Sequence, residues 1–265
     1  PNGAGKTTTI RILTGLSRPT RGKATVLGFD LASDVTHVKK RIGVVPELSN
    51  LYDELSAFDN LIFSMQLSGV PRAERAARAE SLLAQFRLTG KRDTPFAKLS
   101  RGMKRSLTIA AALAHQPPLV FLDEPTTGLD VLSARELRTL IAGLCGKGVT
   151  VFLTTHYLEE AERLCDRIAL LVNGRIVALD TVDRLKDSMS QKATVEITWA
   201  DVNGSINTER MAGVQDVEEA IQKALQRSDG RRILAVNTTR PTLEEVFVHL
   251  TGLGAEVMLV EKGKR

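Results

Sequence analysis

The sequence predicts an α/β protein: a parallel sheet interrupted by an inserted α-helical subdomain and followed by a small C-terminal α+β domain. Three observations predict it. Short strand-like segments, the continuous apolar run Leu119 to Leu122 and then Val149 to Thr154, recur between helical patterns, the first as a strand buried on both faces does. From about residue 55 to 115 the periodicity is helical throughout. Beyond about residue 180 the alternation becomes that of half-buried strands, as in Thr194 to Trp199. The expected domains are therefore 1–180 and 181–265.

Each element follows from its residues. Ile10 to Leu16 reads as a short helix closed by Gly15, Lys23 to Gly28 as a short strand, and residues 40–46 as a strand ending at Pro46. In the helical block, Pro71 opens a segment carrying Leu82, Leu83 and Phe86, and Gly90 closes it. Ser100 opens another, running through Leu107, Ala110, Ala111 and Leu113. Ser133 to Glu136 has the form of a capping box heading a helix with Leu137, Leu140, Ile141 and Leu144. A helix from Glu159 to Leu164 leads to Ile168–Val172, which turns through Asn173-Gly174 into Arg175–Leu179, a strong hairpin signal. A helix over 215–226, a strand over Ile233–Asn237 and a helix from Pro241 with Leu243, Val246, Phe247 and Leu250 complete the chain.

The 265 residues, 43% hydrophobic and 25% charged, describe neither a disulfide-stapled miniprotein nor a disordered tail. The longest apolar stretches fall far short of the ~20 residues that a membrane-spanning helix needs. Cys145 and Cys165 form no CxxC spacing and no metal quartet, which suits reduced, packed thiols in a cytoplasmic protein. The net charge of +5 is uneven: residues 1–180 carry +6, residues 181–265 carry −1, and Arg87 to Arg105 alone holds seven Lys or Arg against one Asp. That stretch lacks the interleaved aromatics of a nucleic-acid groove, so no nucleic acid is expected. Its ordinary reading is a solvated helical face.

Gly3-Ala4-Gly5-Lys6-Thr7 matches the end of the G-x-x-x-x-G-K-[ST] phosphate loop, without its first glycine. Glycines let successive N–H groups converge on phosphate oxygens at a helix N-terminus, Lys6 adds a point charge, and the Thr7 hydroxyl is a Mg²⁺ ligand. Taken alone, a glycine-rich turn capping a helix reads equally well. Leu119 to Leu122 followed by Asp123-Glu124 is a buried strand delivering two acids at its carboxyl end, where open α/β sheets bind ligands. Asp123 then suits Mg²⁺ and Glu124 suits orienting and deprotonating water, against the plainer reading of a solvated Asp-Glu turn. Together the two segments favour a P-loop NTPase sheet.

From here the sequence resembles the ATP-binding subunit of ABC transporters. Leu99-Ser100-Arg101-Gly102-Met103 is similar to the signature LSGGQ, with Arg101 for the first Gly and Met103 for Gln. Asp123 to Asp130, DEPTTGLD, resembles Walker B and the D-loop without a departure, and Thr154-Thr155-His156 the switch histidine. Asn2-Gly3-Ala4-Gly5-Lys6-Thr7-Thr8 is itself typical of the family's Walker A. Glu47 stands where the family usually has Gln, in a segment that touches Mg²⁺ and moves with the transmembrane partner. Glu47, Met103 and the closing Pro241 to Phe247 segment resemble the ABC-2 type, antibiotic-exporter-like branch. Apart from the family, Leu99 to Met103 reads as an N-cap and turn, and His156 as an ordinary satisfied histidine.

The resemblance implies ATP and Mg²⁺ as cofactors, with ATP coordinated by Asn2, Gly3, Ala4, Gly5, Lys6, Thr7 and Thr8. It implies catalysis by Glu124 and His156, and Mg²⁺ on Thr7, Glu47 and Asp123. It further implies Ser100, Arg101, Gly102, Met103 and Asp130 completing the site of a second subunit, in a homodimer or with a paired ATPase subunit. A separate transmembrane permease would hold the dimer on the cytoplasmic face of the membrane, where ATP hydrolysis powers export. Roughly thirty residues, with an adenine-stacking aromatic and the strand feeding the loop, are expected before Pro1, making 1–265 a fragment weak or inactive in hydrolysis by itself. The competing expectation is a soluble ABC-type ATPase acting on ribosomes or DNA. One motif set and no sustained heptad run count against it.

Overall fold

The computed structural model describes residues 1–188, 193–200, 205–214, 217–226, 232–239 and 241–253. They divide into two compact units, Gly5–Glu160 and Pro1–Ala4 with Ala161 onward. The change of pattern near residue 180 thus lies inside the second unit, and the division falls within one helix.

The larger unit is built on three parallel strands, β3 (Ile42–Val45), β4 (Leu119–Asp123) and β5 (Thr150–Thr154), in the order β3-β4-β5. Their register pairs Ile42 with Leu119, Leu122 with Leu153 and Asp123 with Thr154. All five residues of β4 are buried, which is why its sequence is apolar without alternation. Helix α1 (Lys6–Leu13) and helix α2 (Val35–Lys39) close one cluster with Ile10, Val38, Ile42, Leu119 and Phe121. Two short strands, β1 (Thr25–Val26) and β2 (Phe29–Asp30), pair antiparallel and add Val26 to it. Gly43 allows β3 to lie against the inserted helices: a Cβ there would sit 2.5 Å from the Ala112 carbonyl oxygen.

The helical block is α3 (Ala57–Leu67), α4 (Arg72–Gln85) and α5 (Arg101–Ala112), with single 3-10 turns at Thr89–Lys91 and Phe96–Lys98. Leu61, Met65, Leu83 and Leu107 are fully buried. Ser56 caps α3 by accepting from the Asp59 N–H, and Ser100 caps α5 by accepting from the Met103 N–H. The helix α6 (Val131–Cys145) begins two residues before the expected capping box: Asp130 is its N-cap, accepting from the Ser133 N–H and hydroxyl at 2.9 and 2.7 Å. A carboxylate next to a helix N-terminus outcompetes a hydroxyl for those donors. The end residue Cys145 is exposed, contrary to the expected packed thiol. Helix α7 (Leu158–Leu164) carries the division between the units.

The second unit opens with the hairpin β6 (Arg167–Val172) and β7 (Arg175–Thr181). Asn173 and Gly174 have φ of 49° and 75°, as a two-residue turn with both centres left-handed requires. The Gly174 N–H donates to the Ala4 carbonyl at 2.9 Å. A short helix α8 (Val182–Asp187) follows, capped by Thr181. The strands β8 (Ala193–Ala200), β9 (Ile206–Val214) and β10 (Arg232–Thr239) form an antiparallel sheet with β8 central. Val195, Ile197 and Trp199 point to one buried face, met by Ala224 and Ile221 of α9 (Val217–Gln226). The start of the expected 215–226 helix lies outside the described residues. Helix α10 (Leu243–Thr251) begins with a complete Thr242/Glu245 capping box and buries Leu243, Val246 and Phe247. Helices α2 and α8 and strands β2 and β9, unforeseen in the sequence, are short or largely polar segments. No helix among the described residues is long and apolar enough to cross a membrane.

Candidate nucleotide and catalytic site

The carboxyl ends of β4 and β5 lie side by side, and the backbone carries the pairing one residue past β4. The Glu124 N–H donates to the Thr154 carbonyl at 3.0 Å and lies 3.3 Å from its hydroxyl. The Thr154 hydroxyl also donates to Asp123 Oδ1 at 2.5 Å. Glu124 itself is left-handed, φ 48°, a strained setting for a residue with a Cβ. This bend takes the chain off the sheet while keeping Glu124 buried, at 8% exposure.

There the Glu124 carboxylate meets two basic side chains from different elements. Lys6 Nζ, from the first turn of α1, is 3.1 Å from Oε1, and His156 Nδ1, two residues past β5, is 2.8 Å from Oε2. The Thr127 hydroxyl donates to Oε2 at 3.1 Å. Burial pushes the Glu124 carboxyl up, but the charges of Lys6 and then His156, with their hydrogen bonds, outweigh it and hold the group below the usual carboxylate range. An ionised carboxylate is thereby held ready at the end of a buried strand.

Gly5 heads α1 with φ 104°, a left-handed setting that glycine adopts without penalty, and no side chain caps this helix. Thr7 and Thr8 are exposed on its first turn. Asn2 and Gly3 are exposed and Ala4 is buried; these three belong to the other compact unit. Glu47 follows β3 with its side chain exposed.

The signature residues make their contacts elsewhere in the same unit. A Cβ at Gly128 would collide with the Arg101 guanidinium, and one at Gly102 would lie 2.8 Å from Ser133 Oγ. The signature turn of α5 therefore packs on the D-loop and the start of α6. Asp130, whose carboxyl is lowered by its bonds to Ser133, caps α6 in its own chain. The structure thus brings Lys6, Asp123, Glu124 and His156 together, and gathers Arg101 and Gly102 with Gly128, Asp130 and Ser133 as a second group.

Two further residues belong with the first group. Thr154 anchors Asp123 and Glu124 as described, and Arg105, only 5% exposed, bonds to backbone carbonyls around them. Arg105 counts among the basic residues of a supposed solvated face; its signal is its place one turn from Thr108 and Ile109, on the buried side of α5. Several other basic residues of that stretch are also partnered. Arg92 lies over Phe58 and pairs with Glu80 at 2.7 Å, and Lys104 lies over Phe96.

Residues 1–127 match the protein-family model described as ABC transporter. The chain is 38% identical to the daunorubicin resistance ATP-binding protein DrrA3 of Streptomyces coeruleorubidus, over 95% of this chain and 85% of that one. It is 37% identical to the Nod factor export ATP-binding protein I of Rhizobium etli, over 95% and 83%. Among solved structures it resembles the dimeric post-hydrolysis state of the ATP-binding cassette MJ0796 bound to ADP and Pi. The TM-score is 0.61 at 28% identity, covering 68% of this chain and 82% of that one.

Proposed function

The chain belongs to the ATP-binding subunits of ABC transporters, and we propose from that premise that it hydrolyses ATP between paired subunits to drive an exporter of the ABC-2 type. The observation that carries the reading is the cluster of buried Glu124 with half-buried Lys6 and His156 at the carboxyl ends of β4 and β5. A lysine at a helix N-terminus suits phosphate, a buried ionised carboxylate suits the proton of an attacking water, and a histidine orients it. Similarity to drug-resistance and Nod-factor export ATP-binding proteins supports export.

In the proposed reaction Lys6 and the N–H groups of Gly5 to Thr8 hold the β- and γ-phosphates. Engagement of Lys6 by phosphate removes the first of the two charges that depress the Glu124 carboxyl, so the carboxylate becomes a stronger base where the nucleotide is bound. A water oxygen then bonds to the γ-phosphorus as the bond to the β,γ-bridging oxygen breaks; Glu124 takes the water proton, and ADP carries away the bridging oxygen. His156 fixes the Glu124 carboxylate and contacts the γ-phosphate. The Ser100 hydroxyl spends a lone pair on the Met103 N–H, leaving its proton to donate to a γ-phosphate oxygen of the partner subunit's nucleotide. Arg101, Gly102, Met103 and Asp130 complete that facing surface.

Among the described residues no group of three His, Cys, Asp or Glu forms a metal cage. The hard-oxygen set of Thr7 hydroxyl, Asp123 carboxylate and Glu47 carboxylate fits Mg²⁺, an ion bound by few protein ligands plus phosphate and water. When bound, Mg²⁺ supplies neutralising charge at the β- and γ-phosphates. Asp123 is held for that role by the Thr154 hydroxyl. The permease partner places the subunit on the cytoplasmic face. The test is phosphate release from ATP together with co-purification with an integral membrane subunit; absence of both contradicts the reading.

A further inference from the structure

Arg105 is a buried cation that the reaction does not use. It sits one turn into α5, and among the described residues every hydrogen bond it makes goes to a main-chain carbonyl on one of two segments. Nε donates to Pro125 at 2.9 Å, and Nη2 to Asp123 at 2.7 Å and Glu124 at 3.3 Å. Nη1 donates to Pro46 and, at 3.2 Å, to Glu47. A guanidinium has five N–H donors in a rigid planar fork, so a shift of either segment is transmitted to the other. Burial lowers the group to about 10, against the opposing fields of Asp123, Glu47, Glu124 and Glu160, so it remains charged at neutral pH.

The position of those carbonyls gives the contact its meaning. Glu124 carries the left-handed backbone that turns its carboxylate toward Lys6 and His156. Its amide is held by Thr154, and its carbonyl is approached by Arg105 and by the Thr127 N–H at 3.3 Å. Residues 46 and 47, at the other end of the fork, follow β3 and carry the exposed Glu47 side chain.

We propose that Arg105 is a positioning residue that locks the backbone of Asp123 to Pro125 to the Pro46–Glu47 segment, so that the placement of Glu124 for water attack depends on that segment. The inference rests on the ATPase reading above and adds to it a residue that touches neither nucleotide nor water. Lysine cannot substitute, because its single ammonium cannot span both segments. Nucleotide binding by the phosphate loop is left intact, since Arg105 has no bond to Gly5, Lys6 or Thr7 among those described; affinity is therefore measured without Mg²⁺, whose proposed ligands Asp123 and Glu47 lie on the two joined segments.

The experiment compares wild type, Arg105→Lys and Arg105→Met in the full chain by phosphate release, fluorescent ATP-analogue binding and thermal melting. Met removes the buried charge at similar volume, which cores commonly tolerate. The expected result is a kcat lower by on the order of 100-fold in both variants, as small misplacements of a reacting group produce. Nucleotide affinity and KM stay near wild type, and Lys gives no rescue. A folded variant with kcat within about threefold of wild type overturns the proposal. So does loss of folding in both variants, or a fall in kcat matched by equal loss of nucleotide binding, since each assigns Arg105 a purely structural role. Wild type that neither binds the fluorescent ATP analogue nor releases phosphate refutes the ATPase reading itself, a separate outcome.

Discussion

Replacing Glu124 with Gln keeps the shape of the side chain and removes the carboxylate that Lys6 and His156 share. Gln can still accept from the Thr127 hydroxyl, but Lys6, 15% exposed, and His156, 13% exposed, lose the carboxylate at 3.1 and 2.8 Å. At an effective dielectric near 20, charges about 3 Å apart attract by about 5 kcal/mol before desolvation is counted. Breaking one side of a buried pair typically costs about 3–5 kcal/mol; the partial exposure of Lys6 places this site near the lower end. Without nucleotide, Glu124→Gln should therefore lower unfolding stability by about 3 kcal/mol in urea titrations. ATP restores a counter-charge to Lys6, so its stabilising effect should be larger in the variant than in wild type. Turnover should fall by about 10²–10⁴-fold while ATP is still bound, as loss of a general base predicts. Near-wild-type phosphate release from Glu124→Gln, or weaker rather than stronger stabilisation by ATP, refutes the role given to this carboxylate.

Three further outcomes follow from packing and charge. Gly43→Ala places a Cβ against the Ala112 carbonyl and should cost about 1–3 kcal/mol in chemical denaturation, because backbone on both sides must give. Stability should also fall in acid for two reasons. The lowered Glu124 carboxyl contributes stability above the ordinary carboxylate range and loses it as pH drops through its depressed folded value. His115, lowered by burial despite its bond to the Ile42 carbonyl, resists protonation, so its share is lost as pH falls below the ordinary imidazole range. Urea midpoints for His115→Gln should be flatter there. Phe247→Ala, on the buried face of α10, should cost about 3–5 kcal/mol in denaturation of the second unit and leave the Lys6–Glu124–His156 cluster unaltered.

Where one kind of residue had to serve one purpose, the sequence was sufficient. The apolar run of β4 is short and unbroken, as suits a strand covered on both faces, and the pair of acids after it suits the end of that strand. Asn173-Gly174 can form its turn because both residues accept positive φ. The sequence misled where two residues compete for one role. Ser133 has the spacing of a capping box, but Asp130 takes its N–H and its hydroxyl, moving the start of α6. Arg105 and Arg101 are both cations in a basic stretch, and composition cannot separate one bonded to buried carbonyls from one lying over Gly128. Only the helical phase of α5 distinguishes them, by placing Arg105 among Thr108 and Ile109. Short elements such as β2 and α8 carry too few residues for any period to emerge.

In the proposed mechanism ATP is hydrolysed at a site whose lysine and base come from one subunit and whose signature serine comes from the other. Mixed dimers carrying Lys6→Ala in one subunit and Ser100→Arg in its partner test it most directly, measured by phosphate release. Each variant alone should be inactive, whereas the isolated mixed dimer retains one intact site and should release phosphate at about half the wild-type rate. A mixed dimer as inactive as its parents, or a Ser100→Arg homodimer with wild-type turnover, would contradict it.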